Sequence, residues 1–176
     1  MKRPARYYLT YLWTWPWDII SWVVILTAWA LWGHKLHWLE GLWFEFKEGS
    51  WPDRKFKMGG NCLGHGGMFF PTAAGGEGID TPVEFHEHFH SEQYEAAMLL
   101  GFLYGLTMFL LSWSAGSPVP GALCGGISWV AAGALSYASA SFQAWMRGEE
   151  AYHGNHLEEA AYAVTGEWAG KQESQR

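Results

Sequence analysis

Three long stretches of this chain lack the polar–apolar alternation that marks a half-buried element. Leu12 to Trp32 is apolar apart from one formal charge, Asp18. Ala96 to Trp113 runs for 18 residues without a charge, and Gly121 to Met146 repeats the pattern with many Gly, Ala and Ser. A helix of about 20 apolar residues matches the hydrocarbon thickness of a bilayer, so each stretch reads as a membrane helix or a fully buried one. Small residues suit close helix–helix contact, and Ser114 to Pro120 is uncharged turn chemistry. The second and third stretches therefore read as a helical hairpin. The first, lacking an A-x-A-like cleavage site, reads as an N-terminal anchor over residues 1–33.

Between anchor and hairpin the pattern shortens. Leu42-Trp43-Phe44-Glu45-Phe46-Lys47 shows alternation late in the run, Glu48 to Asp53 is turn-like, and Arg54 to Met58 alternates again. This predicts a β-hairpin. Cys62 to Phe70 predicts a third strand, whose glycines would let another backbone approach closely. The expected β region is residues 40–72, and His34 and His37 are expected at the end of the first helix.

The chemistry begins where this region ends. Thr81 is a good N-cap, Pro82 suits the first helical position, and Glu84 completes a capping box. A helix over 81–113 puts His86 and His90 on one face, four residues apart, where both imidazoles can bind one metal. Glu87, about 100° around the helix, can reach a water on that metal. Together they spell H-E-x-x-H, whose mechanics are two zinc ligands and a general base. His88, Glu92 and Glu95 fall on the other side. A helix over 120–147 then returns the chain to the level of these histidines, and Asn155 with Glu158 marks the start of a last helix, 155–168. A carboxylate there can complete a three-ligand zinc site with an open fourth position. Glu158 and Glu159 point about 100° apart, so only one can face the histidines. The apolar spacing of Leu157, Ala160, Ala161 and Val164 separates the two only weakly.

Composition adds to this picture in a few respects. Among 176 residues there are 13 Trp, a usage suited to membrane interfaces. Net charge is -6 and the 11 Lys and Arg are scattered, which argues against a nucleic-acid surface. Lys2, Arg3 and Arg6, followed by Tyr7, Tyr8 and Tyr11, read as the cytoplasmic flank of a membrane helix. If that helix spans, the motif lies on the opposite side. Cys62 and Cys124 are far apart and lack metal-binding spacing.

H-E-x-x-H with a downstream helical glutamate resembles the gluzincin pattern of zinc metallopeptidases. Three stretches are similar to a group of small, membrane-associated, metallopeptidase-like proteins of bacteria and phages. They are Leu63-Gly64-His65, His86 to Glu95, and Asn155-His156-Leu157-Glu158-Glu159-Ala160-Ala161-Tyr162. The resemblance covers residues 60–165, with a looser match at the Pro-Trp-Asp of the first helix. It implies one zinc per chain held by His86, His90 and Glu158, with Glu87 as general base. The strand from Leu63 to Phe70 would be the edge that holds an extended peptide or protein substrate. The glycine-rich strand and the Glu158-Glu159 pair depart from the pattern.

The expected fold is α+β, mainly α: a membrane helix (1–33), then a mini-metallopeptidase-like domain (34–176) with a small antiparallel sheet. The expected function is zinc-dependent hydrolysis at a membrane, with lipid and peptide as partners and Tyr162 as a candidate donor to the oxyanion. Two alternatives stand beside it. One is a di-iron membrane protein using the E-x-x-H pairs Glu87/His90 and Glu150/His153, with Asp18 or Glu84 as further ligands. The other is a non-catalytic membrane protein. His65 and His153 are possible supporting groups.

Overall fold

The computed structural model describes residues 9–39, 41–56, 58–74 and 82–165. The expected cap Thr81, most of the loop before it and residues 166–168 of the last helix lie outside them. The fold is α+β and mainly α, as the sequence pattern implies. The first apolar stretch forms α1 (Tyr11–Trp32). Strand β1 (Gly33–Trp38) follows it directly, so His34 and His37 lie on a strand and not at a helix end. The sequence reading missed this strand because Gly33-His34-Lys35-Leu36 offers no alternation.

Strand β2 (Leu42–Phe46) appears where expected, but its antiparallel partner is β1, not the segment after the turn. That segment is a short helix, α2 (Trp51–Lys55). Ser50-Trp51-Pro52-Asp53 is itself a helix-start pattern, with Pro and an acid in the first turn. Asp53 is buried and accepts from the Gly49 N–H (2.7 Å), the Thr72 N–H (2.9 Å) and the Thr72 hydroxyl (2.5 Å). Burial works to raise its carboxyl, but these hydrogen bonds outweigh it and hold the group below its ordinary value.

The expected single strand over 62–70 is two strands. β3 (Gly60–Cys62) and β4 (Gly66–Phe69) pair antiparallel around Gly64-His65, with Gly64 at φ 66° in the left-handed region. A short helix, α3 (Pro71–Ala74), follows. The sheet order is β1-β2-β4-β3, and β2 runs parallel to β4, so the sheet is mixed. Consequently β4 is interior and β3 is the edge, which corrects the edge expected at Leu63 to Phe70.

Period-two alternation divides the sheet faces. Phe44, Phe46 and Phe70 form a core with Ile25 of α1, and Ala28, Leu42, Leu63 and Met68 pack around it. On the opposite face, Trp43 stacks on Phe69 and lies 5.0 Å from the ring of His88. His88 belongs to α4 (Pro82–Ser114), so the sheet fills the space between α1 and the first turns of α4. Helices α5 (Pro118–Met146) and α6 (His156–Thr165) follow.

The chain divides into two compact units, and the division falls inside α1 and α4, not after residue 33. One unit comprises residues 18–92 and 156–176, and the other 1–17 and 93–155. In the second unit, α4 and α5 form the expected hairpin. A Cβ on Gly125 would lie 2.9 Å from the Cα of Gly105, so the two backbones touch. The start of α1 joins this hairpin through Trp13 Nε1–H donating to the Glu95 carbonyl (3.2 Å) and through Trp129 Nε1–H donating to the Trp13 carbonyl.

Burial in these helices is inverted relative to a water-soluble protein. The buried stripe of α1 is Thr14, Asp18, Ser21 and Ile25, three of them polar. In α5 the buried residues are Gly121, Gly125, Ala140 and Ala144. Large apolar side chains point outward instead: Leu12 is 69% exposed, Leu100 68% and Ile127 69%. Among the described residues, three helices, α1, α4 and α5, are long and apolar enough to cross a membrane.

The glycine contact yields a test. Gly125→Leu inserts a side chain into backbone and should destabilise the hairpin by about 1–3 kcal/mol. A Cβ on neighbouring Gly126 meets nothing within 4 Å, so Gly126→Leu should be nearly silent. Thermal unfolding in detergent measures both, and equal shifts would sink the packing.

Candidate metal centre

The site is assembled from α4 and α6 within one unit. Helical spacing stacks His86 and His90 on one face of α4, as expected, with ring centroids 4.7 Å apart. Glu158 projects from the first turn of α6 and is 3% exposed. His86 Nε2 lies 3.2 Å from Glu158 Oε2, His90 Nε2 lies 3.3 Å from the same oxygen, and the two nitrogens are 3.1 Å apart.

This nearly equilateral triangle bears on the chemistry. An imidazole nitrogen has one site in the ring plane, either a proton or a lone pair. It cannot direct that one site at two partners at once, yet each Nε2 here faces both the other nitrogen and the carboxylate. A cation between them resolves this, since all three atoms then offer lone pairs inward. Ligands about 2.0–2.1 Å from a tetrahedral zinc are about 3.3 Å from each other, which is the spacing seen. The buried His86–His90–Glu158 group could therefore hold a metal ion.

Glu158, not Glu159, faces the histidines. Glu159 is exposed, and the buried stripe of α6 is Glu158, Ala161 and Tyr162, at i, i+3 and i+4. Val164, expected on the buried side, is 65% exposed. The apolar spacing had pointed to a face centred one position away, because a ligand carboxylate counts as polar in any such pattern.

Glu87 is buried beside the edge strand. The Cys62 N–H donates to its carboxylate. The antiparallel pairing with β4 uses the backbone of residues 59 and 63, through Phe70 N–H to Gly59 and Leu63 N–H to Gly66. That leaves the polar groups of Gly60 and Cys62 on the outer edge. Gly60 is also where a side chain has no room: a Cβ would lie 2.7 Å from Glu87 Cγ and 2.9 Å from Oε1. This contact was not legible in sequence, since nothing in Gly59-Gly60 names its partner.

Tyr162 packs its ring 4.5 Å from that of His86 and is buried with it. Burial above all, with the charge of Glu87 adding to it, pushes the Cys62 thiol up and keeps it protonated. His88 turns to Glu84 (3.6 Å) and Trp43, away from the pair, as expected. His65 is fully buried against Asp18. His153 and Glu150 sit in an exposed turn after α5 and lie 3.8 Å from each other. Asp18 and Glu84, the other carboxylates a di-iron site would need, thus face other partners.

Removal of the third ligand should weaken metal binding selectively. Glu158→Ala is expected to lower affinity for a divalent metal by at least about tenfold, whereas Glu159→Ala leaves it nearly unchanged. Competition titration with a chromophoric chelator reads both, and a larger effect at Glu159 would contradict the geometry.

No family model, curated protein or solved structure matches this chain.

Proposed function

We propose that this protein is a membrane-associated zinc hydrolase, acting as a metallopeptidase of the gluzincin type. The observation that carries the reading is the His86–His90–Glu158 triangle, with Glu87 buried next to it on the same helix. Nitrogen and oxygen donors in a three-residue set, the donor number of catalytic zinc sites, suit zinc. When bound, zinc acidifies a ligated water to a pKa of about 7 and polarises a carbonyl. Glu87 serves as the base: its carboxylate is oriented by the Cys62 N–H and lies one helix position from His86. Tyr162, held against the His86 ring, donates to the developing oxyanion. The outer edge of β3 offers the Gly60 backbone and the Cys62 carbonyl to an extended peptide, the Cys62 N–H being engaged by Glu87.

The bilayer is the partner for the outward apolar faces of α1, α4 and α5, because that inverted burial is stable only in lipid. The basic residues Lys2, Arg3 and Arg6 favour a cytoplasmic N-terminus, which places the centre on the opposite side if α1 crosses. A monotopic arrangement draws support from the sheet packing on Ile25 and Ala28, since a sheet with open edges does not sit in hydrocarbon. Glu48→Cys, at an exposed turn, decides between them. A membrane-impermeant maleimide added to intact cells labels it in the spanning arrangement and fails to do so in the monotopic one.

The hydrolase reading is tested at Glu87. Glu87→Gln should keep about one zinc per chain yet lose at least about a hundredfold in cleavage of quenched fluorescent peptides in detergent. A variant that loses zinc would show Glu87 to be a ligand. Two irons per wild-type chain would support the di-iron alternative instead. One zinc with no cleavage by wild-type protein would leave a non-catalytic metal site.

A further inference from the structure

Asp18 is the one formal charge in α1, and it is 1% exposed on a helix whose outer face is suited to lipid. A buried carboxylate in such a segment is costly unless it is fully partnered, so its partners indicate what it does. Both oxygens grip one residue. Oδ1 accepts the His65 backbone N–H at 3.2 Å, and Oδ2 lies 3.0 Å from His65 Nδ1. Backbone and ring are held together, so His65 is fixed in position and in orientation.

His65 is the turn residue between β3 and β4, and its neighbour Gly64 carries the next contact. The Gly64 carbonyl accepts from the Ser91 hydroxyl at 2.8 Å and lies 3.2 Å from the Cys62 thiol. The same thiol lies 3.3 Å from Ser91 Oγ. Ser91 directly follows the ligand His90 on α4. Cys62 in turn directs its N–H at the Glu87 carboxylate. An unbroken series of contacts thus runs from α1 through the β3–β4 turn to the general base.

We propose that Asp18 is a positioning residue for the metal centre: by clamping His65 it fixes the Gly64 carbonyl between Ser91 and Cys62, and so holds edge strand β3 against Glu87. The inference rests on the hydrolase reading for its kinetic consequence, but its structural core does not. Asp18 touches neither ligand nor substrate. Its loss should loosen the edge strand while leaving the three metal ligands in place.

The experiment compares full-length wild type, Asp18→Ala, Asp18→Asn and Ser91→Ala in detergent, by hydrogen exchange, zinc titration and peptide cleavage. In Asp18→Ala, exchange within residues 59–66 is expected to rise by about tenfold or more, with β1 and β2 unchanged, because local opening is independent of the rest. Zinc affinity should stay within about threefold, while kcat falls at least about tenfold and KM rises, because the loosened strand both orients Glu87 and holds the peptide. Asp18→Asn, which keeps an acceptor for the His65 N–H, should recover part of the protection. Unchanged exchange at 59–66 overturns the proposal whatever the activity. Faster exchange throughout β1 and β2, with zinc affinity falling in step, also overturns it, because Asp18 would then serve general stability alone. If Asp18→Ala does not fold, Ser91→Ala carries the test from the other end of the series, with the same expected and overturning results. If wild type cleaves nothing, the hydrolase reading fails while exchange and zinc titration still decide the role of Asp18.

Discussion

Two imidazole nitrogens and a carboxylate oxygen meet within 3.1–3.3 Å of one another in a buried position. Bringing three such acceptors together away from water is unfavourable without a positive charge among them. Much of the first unit can be understood as meeting that constraint. The i, i+4 spacing in α4 supplies the two nitrogens, and the first turn of α6 supplies the oxygen. The sheet, braced on α1 by Ile25 and on α4 by Trp43 against His88, supplies an edge strand that covers Glu87. Gly60 allows that cover to be close, because any side chain there would occupy the space of the Glu87 carboxylate.

The second unit obeys a different solvent rule. Its helices bury Gly and Ala and expose Leu, Ile and Trp, the arrangement that stabilises helices when the surroundings are as apolar as the side chains. Close backbone contact at Gly105 and Gly125 then supplies packing that a hydrophobic driving force cannot. The same inversion in α1 puts Thr14, Asp18 and Ser21 on the inside. There, the Thr14 hydroxyl donates to the Thr10 carbonyl, and Asp18 meets the backbone and ring of one residue in the β3–β4 turn.

Some of this was legible from local pattern alone. The three apolar helices, their approximate ends and the histidine pair follow from length, charge-free runs and i, i+4 spacing, all of which are local properties of a helix. The turn at Glu48 to Asp53 was also visible, but what followed it was not. Alternation over Arg54 to Met58 suggested a strand, whereas Pro52 and Asp53 start a helix whose acid is held by Thr72, 19 residues away. Similarly, Cys62 to Phe70 read as one strand because no formal charge or proline interrupts it, and the glycine at φ 66° that divides it carries no hydrophobic signal.

By itself, then, the sequence determined which segments are helical and apolar, and that His86, Glu87 and His90 share one end of a helix, because those properties depend on neighbours within a few residues. Tertiary structure decided the rest. It set the parallel pairing of β2 with β4, the choice of Glu158 over Glu159, the placing of Cys62 over Glu87, and the pairing of Asp18 with His65. Each of these joins residues 24 to 72 positions apart in the chain. Sequence spacing constrains such partners only through the fold, since a carboxylate or a strand edge has no local feature that names the distant group it will meet.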